Sequence, residues 1–346
     1  MITDKAMLVS IHFSVWTARK HDKRVTEHVS KEYNADSKAG RYNKRLLANA
    51  EKLEELNNLV GRIRKWVYGI TLPWSDDGPR ILPNELYFEF GKKWTEFENE
   101  FHIAVEAFLA AYMQYVEEVR PILGDMFRED EYPTIPKLRE KFSISREILP
   151  VPMGADFRVS LNKAETERLA QELDEANKKK MAASIRELWQ RLYDVVYHMA
   201  TSLSQAEKRI YSSTVDNVRD LVYLLPLLNI AGDTELTVLT ERTRTELCKY
   251  TAEYLRRDPE ARKEIAEAAA GIVKAIADKT DIPAGVPSLI NRADAGDDDS
   301  DDYPEDNSAP APLPAPVPID SAKKTQDAVD AITARMLPFM HLAATA

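Results

Sequence analysis

The 346 residues predict a mostly α protein: a long-helix bundle or coiled-coil-like body, with a small two-stranded or three-stranded β element and a disordered C-terminal tail. Three observations carry that expectation. Between Ser184 and Ile210, the residues Ile185, Leu188, Leu192, Val195, Met199, Ala206 and Ile210 follow a helical repeat, broken only at Ser202 with Leu203 beside it, and no Pro or Gly interrupts them. A second stripe, Phe90, Trp94, Phe97, Phe101, Val105, Phe108 and Tyr112, has the same spacing and is aromatic-rich, as residues filling the space between packed elements are. Residues 7–16, by contrast, alternate: Val9, Ile11, Phe13 and Val15 on one side, Ser10, His12 and Ser14 on the other, the period of a half-buried strand.

The turn-like run 34–40 follows that strand, and a helix is expected from Tyr42 to Tyr68 on Leu46, Leu53, Leu56, Val60, Ile63 and Val67. Three Pro and two Gly in 69–83 argue against any regular element there, with Ile70, Leu72 and Trp74 returning to the core. The aromatic stripe belongs to a helix from Asn84 to about Val119, stopped near Pro121. A short helix is expected over Ile135–Phe142. Phe157, Val159 and Leu161 then alternate in ADFRVSL, a second strand expected to pair with residues 8–16. From Asn162 to Ile210 the pattern is one very long helix or two collinear ones. Its polar lead-in over 171–184 is expected to project, and its apolar stripe to pack on the aromatic stripe at 90–112. Ser213 and Asp216 have the spacing of a capping box for a helix running to Pro226. Helices over Glu235–Arg256 and Pro259–Lys279 complete the body. This divides the chain into 1–161, an N-terminal helical region with short strands; 162–282, a long-helix region; 283–320, an acidic and proline-rich disordered linker; and 321–346, a short amphipathic tail helix.

The charge is unevenly placed. Eight acids and no base fall within residues 294–306, and they account for all but two of the net charge of −10. The prolines after them favour extended chain that builds no core. Residues 19–45 lean the other way, with nine Lys and Arg against four Asp and Glu.

Much familiar chemistry is excluded by what the chain lacks. It has no GxxxxGK[ST] or GxGxxG phosphate loop, no HExxH and no GxSxG. A single cysteine, Cys248, removes a disulfide framework and any paired-cysteine zinc site, and its helical context reads as filler. His12, His21 and His28 read as surface histidines, and Asp76 and Asp77 beside Gly78-Pro79 read as a solvent turn, with Glu85 no partner for catalysis. No catalytic residue, metal or cofactor is expected. No apolar run reaches the about 18 residues of a membrane span, and the N-terminal MITDKAMLVSIHFSVWTARK lacks the order of a signal peptide, so a cytoplasmic setting is the expectation.

Two surfaces remain as candidates. In the basic segment, Arg19, Lys20, Lys23, Arg24, Lys31, Lys38, Arg41, Lys44 and Arg45 could meet phosphates, with Trp16, Tyr33 and Tyr42 to stack on bases. The dull alternative is a solvated face balanced by Asp22, Glu27, Glu32 and Asp36. In the tail, Val329, Ile332, Met336 and Phe339 form a short stripe suited to docking in a partner's groove. These give two competing readings: a non-enzymatic helical interaction or adaptor protein, and a binder of single-stranded DNA or RNA. A helical stripe is satisfied equally by an intramolecular bundle and by a homo-oligomer.

The runs LVSIHFSVWTARKHDK, AGRYNKRLL, TLPWSDDGPRILP, ADFRVSL and LLPLLNI together resemble a bacterial and phage family of unknown function, over about residues 5–280. Members are sometimes encoded near a MoxR-type AAA+ ATPase and a von Willebrand A-type protein. The resemblance implies a phage or mobile-element setting and an AAA+ ATPase as a partner; it carries over no site residue.

Overall fold

The computed structural model describes residues 2–36, 38–75, 78–154, 163–205 and 209–280. The chain is mostly helical with a small open sheet, as the repeats predict. The expected strand over 155–161, the acidic linker and the tail helix lie outside the described residues.

Strand β1 (Ala6–Ser14) is the spine of the sheet. It runs antiparallel to β5 (Arg80–Pro83) on one edge and to β6 (Ser143–Pro150) on the other, and β5 also pairs with β4 (Leu72–Pro73), giving the order β4-β5-β1-β6. Three of these strands, β4, β5 and β6, correct the sequence reading. The Pro-rich run 69–83 forms two paired strands: of its three prolines, Pro73 and Pro83 are the last residues of β4 and β5, and Pro79 stands just before β5, outside the ladder. The long partner of β1 is SISREILP, in the register Val9↔Ile148, Ile11↔Arg146 and Phe13↔Ile144.

Helices α2 (Glu51–Gly69) and α3 (Tyr87–Leu123) cover the face of the sheet. Helix α2 begins nine residues later than its apolar repeat suggests, because Asn43–Arg45 is taken into a separate ribbon described below. Phe13 of β1 meets Trp94 and Phe101 at ring-centroid distances of 6.4 and 6.5 Å. Trp66 of α2 stacks on Phe90 at 5.9 Å. The aromatic stripe therefore packs on the sheet and α2. Pro121 does not stop α3, which runs on to Leu123 and ends where Gly124 adopts φ +49°, a conformation glycine reaches without strain.

After the short α4 (Ile135–Arg139) and β6, helix α5 (Lys163–Ser204) runs for 42 residues, about 63 Å. It does not use α3 as its partner. Its buried face, Leu188, Leu192, Val196, Met199 and Leu203, packs on α6 (Ser212–Leu228) and α9 (Pro259–Ala277), with a further contact at β4. Val196 is fully buried and Val195 only half-buried, so the stripe is rotated slightly from the expected one. The helix also stops short of Ile210. Arg262 of α9 donates to the carbonyls of Ser202, Leu203 and Gln205 and so closes its C-terminus, where free carbonyls need partners.

Helix α7 (Thr234–Leu247) and the short α8 (Ala252–Arg257) replace the single helix expected over Glu235–Arg256. Thr251 causes the break: its hydroxyl accepts from Tyr254 N and starts a new helix. Helix α6 is capped at Tyr211, not at Ser213, and continues through Pro226 to Leu228. Buried residues from both halves form one continuous core.

Candidate functional site

The basic segment forms a distinct arm. Strand β2 (Arg19–His21) pairs antiparallel with β3 (Asn43–Arg45), and α1 (Lys23–Glu32) spans between them. Local chemistry accounts for the helix. Asp22 is its N-cap, accepting from Arg24 N and Val25 N at 3.1 and 3.2 Å. Thr26 Oγ1 donates to Asp22 O and accepts from Tyr42 N, which ties the helix start to the strand that follows. At the other end Asn34 has φ +48°. Its N–H donates to Lys31 O and that of Ala35 donates to Ser30 O, the paired bonds of a left-handed helix end.

The base of the arm is held by buried charge. Lys44 is only 1% exposed; its Nζ lies 2.6 Å from Glu131 Oε2 and 3.3 Å from Asp22 Oδ2, and it donates to Met126 O at 2.8 Å. Lys20 reaches the other oxygen of Glu131 at 3.8 Å. Tyr132 Oη donates to Leu46 O at 2.9 Å, and burial together with the Glu131 charge pushes its phenol up to about 12. Burial raises the Asp22 carboxyl, but the Val25 N–H and the Lys44 ammonium outweigh it and hold the group below the usual carboxylate range. A carboxyl depressed on folding stabilises the protein above its unfolded value and ceases to do so as pH falls through the folded one. The arm is therefore expected to loosen below about pH 4, read as faster amide exchange in α1 than in α9.

Ala18, just before β2, is a non-glycine residue at φ +50°, and its carbonyl accepts from Leu46 N at 2.6 Å. Alanine is strained there, and the buried junction holds it in place. Ala18→Gly is expected to raise stability by about 1 kcal/mol in a denaturant melt, less the extra chain entropy of glycine.

Above this base the arm is open. Helix α1 buries no residue; Val29 is 44% and Tyr33 75% exposed. Of the nine predicted cations, Lys44 and Lys20 are paired as described. The other seven, Arg19, Lys23, Arg24, Lys31, Lys38, Arg41 and Arg45, are exposed and form no ion pair within 4.0 Å among the described residues, although the Arg24 charge helps to lower the Asp22 carboxyl. Two expectations are corrected. Lys44 is not a surface cation, because its ammonium is neutralised inside the protein. Trp16 is not a stacking platform, because its ring packs on Phe108 and Tyr112 at 6.4 and 5.9 Å. Tyr42 is exposed, as read from the sequence. Glu131, which the sequence reading passed over, is decisive for the base; at 87 positions from Lys44 it leaves no local signal.

The other candidates are dispersed. His12 is exposed on β1, His21 bonds Thr26 Oγ1 at 3.1 Å and His28 lies 4.0 Å from Glu32; among the described residues no three His, Cys, Asp or Glu side chains are grouped to hold a metal. Glu85 is exposed, while Asp76 and Asp77 lie outside the described residues. Cys248 is half-buried, and burial pushes its thiol up, away from the reactive thiolate. A groove of about 330 Å³ between α6 and α7 is walled by Val222, Leu225, Pro226 and Leu236, with the Glu241–Arg244 pair at its rim. Val329, Ile332, Met336 and Phe339 lie outside the described residues. Among the described residues no helix is long and apolar enough to cross a membrane. Compared with protein-family models, curated proteins and solved structures, the chain matches none.

Proposed function

We propose that this protein is a non-enzymatic interaction protein of a phage or mobile element, a helical body that presents residues 19–45 to a partner. One observation carries the reading: α1, which buries no residue, stands on a base fixed by buried ion pairs. An isolated ten-residue helix is marginal in water, so a chain that caps it at both ends and anchors its flanks maintains an uncovered surface at a cost in stability. Contact with a partner is the function that such a surface serves, and the AAA+ ATPase implied by the family resemblance is the first protein to test.

A photo-crosslinking residue at Val29, introduced in cells that carry the element, is expected to give a discrete adduct. The same residue at Val238 on α7, a more open position at 66% exposure against 44% for Val29, is expected to give none. Equal, diffuse labelling from both positions would sink the reading. Nuclease and protease treatment of the Val29 adduct separates a nucleic-acid partner from a protein one.

A further inference from the structure

Resting on that reading of the arm, we propose that its partner is single-stranded nucleic acid, with phosphates held by the Arg19–Arg45 pair and bases stacked on Tyr33 and Tyr42. The argument begins in the ribbon. In an antiparallel pair, directly opposed residues share a face. Lys20 opposes Lys44; Lys44 is buried on Glu131 at 2.6 Å, and Lys20, 47% exposed, reaches the same carboxylate at 3.8 Å. Arg19 opposes Arg45 on the other face, and both are exposed without a carboxylate partner among the described residues. Like charges opposed across a ribbon destabilise it. The two faces of one small ribbon thus treat their cations differently: on one, Lys44 is neutralised inside the protein and Lys20 touches the same carboxylate from the surface, and on the other the arginine pair is left for a ligand.

The helix repeats the pattern. Lys23 and Arg24 occupy the first turn of α1 and are exposed; its N-terminal N–H groups are already taken by Asp22, so these two residues offer the charge of their side chains. A polyanion at this end meets the charge of these side chains as well as that of the arginine pair.

The tyrosines select the kind of polyanion. Tyr33 is 75% and Tyr42 40% exposed, and among the described residues neither ring stacks on another and neither hydroxyl is bonded. Free rings among unpaired cations make a platform for unstacked bases, which a single strand offers and a duplex does not. A membrane-surface helix needs bulky apolar residues, and the exposed apolar side of α1 is Val29 alone.

The test is fluorescence anisotropy with the full chain and a labelled oligothymidylate of about 20 nucleotides, long enough to span the arm. Binding is expected at about 50 mM salt and about tenfold weaker at about 200 mM, as three or so phosphate contacts require. The variant Arg19→Gln/Arg45→Gln is expected to bind about tenfold more weakly with an unchanged or higher Tm, since it removes an opposed like-charge pair. Tyr33→Ala/Tyr42→Ala is expected to lose about tenfold or more, and Tyr33→Phe/Tyr42→Phe to keep the affinity, since stacking needs the ring and not the hydroxyl. No binding to the single strand at the lower salt overturns the proposal, and so does binding indifferent to the arginine or the tyrosine variants. Tighter binding to a duplex of equal length or to anionic vesicles also overturns it. If those ligands lose affinity in the arginine variant, the arm remains an interaction surface; if Val29 in addition captures nothing in cells, both readings fall.

Discussion

Lys44→Met is expected to destabilise the protein by about 3–5 kcal/mol, because it leaves the Asp22 and Glu131 carboxylates buried without their shared cation. Lys44 has no solvent route to relieve the change: it is 1% exposed, and Asp22 and Glu131 are 5% and 9% exposed. The Met126 carbonyl loses its donor as well. The loss is not confined to one bond, since Asp22 also caps α1, and a carboxyl that takes up a proton accepts more weakly from Arg24 N and Val25 N. A urea melt gives the magnitude, and amide exchange gives the location: protection should fall first in α1 and the ribbon and last in α9. The companion Asp22→Asn/Lys44→Met/Glu131→Gln, with no buried charge left among the three, should recover much of the loss. A Lys44→Met protein as stable as the parent, with α1 protected as before, would contradict the buried-charge account of the arm's base.

Arg191→Lys is expected to cost about 2–4 kcal/mol, although it keeps the charge. Arg191, on α5, donates to the carbonyls of Tyr68, Gly69 and Thr71 at 2.9, 2.8 and 2.8 Å, and to Glu187 at 3.2 Å. The first two carbonyls end α2, and the third leads into β4. A planar guanidinium meets them from one centre, whereas a lysine ammonium has three donors on a single atom and cannot reach the same spread. Arg80 adds to the demand on geometry: it donates to Thr71 Oγ1 at 2.7 Å, and burial with the nearby Arg191 charge lowers it to about 10. Two half-buried arginines share one carboxylate, Glu187, and the carbonyl dipoles at the end of α2 make up the difference. A thermal melt of Arg191→Lys, compared with a surface control such as Arg242→Lys, checks the size. Equal Tm values for the two variants would show that the carbonyl cluster contributes little.

Much of the fold was legible in the sequence for one reason: an amphipathic element writes its period into neighbouring residues. The aromatic stripe at 90–112 became a helix, the repeat at 184–210 did so as far as Ser204, and the alternation at 7–16 became the central strand as far as Ser14. Strand β6 was missed for an equally local reason. Ile144, Arg146 and Ile148 share one face, and a charge in the middle of that face hides the alternation; the guanidinium is accommodated over the rings of Phe90 and Trp94 at 5.4 and 5.8 Å. Thr251 was missed because a cap shows itself only against a helix already known to end.

The candidate site divides in the same way. The excess of bases in 19–45 is a property of the sequence alone, and so is the turn at 34–40; Asp22 was read only as a balancing acid, and its role as a cap came with the structure. Which cations remain available is not a property of the sequence alone. Lys44 and Arg45 are neighbours of the same charge, yet the strand's alternation sends one into the protein and the other to solvent, and only Glu131, far along the chain, decides which is neutralised. Trp16 and Tyr42 were equal candidates for stacking until α3 covered one of them. Helical period and net charge are sums over nearby residues, and the sequence determined both. Partner choice between stripes and the fate of each charge depend on contacts between residues tens of positions apart, and those only the tertiary structure decided.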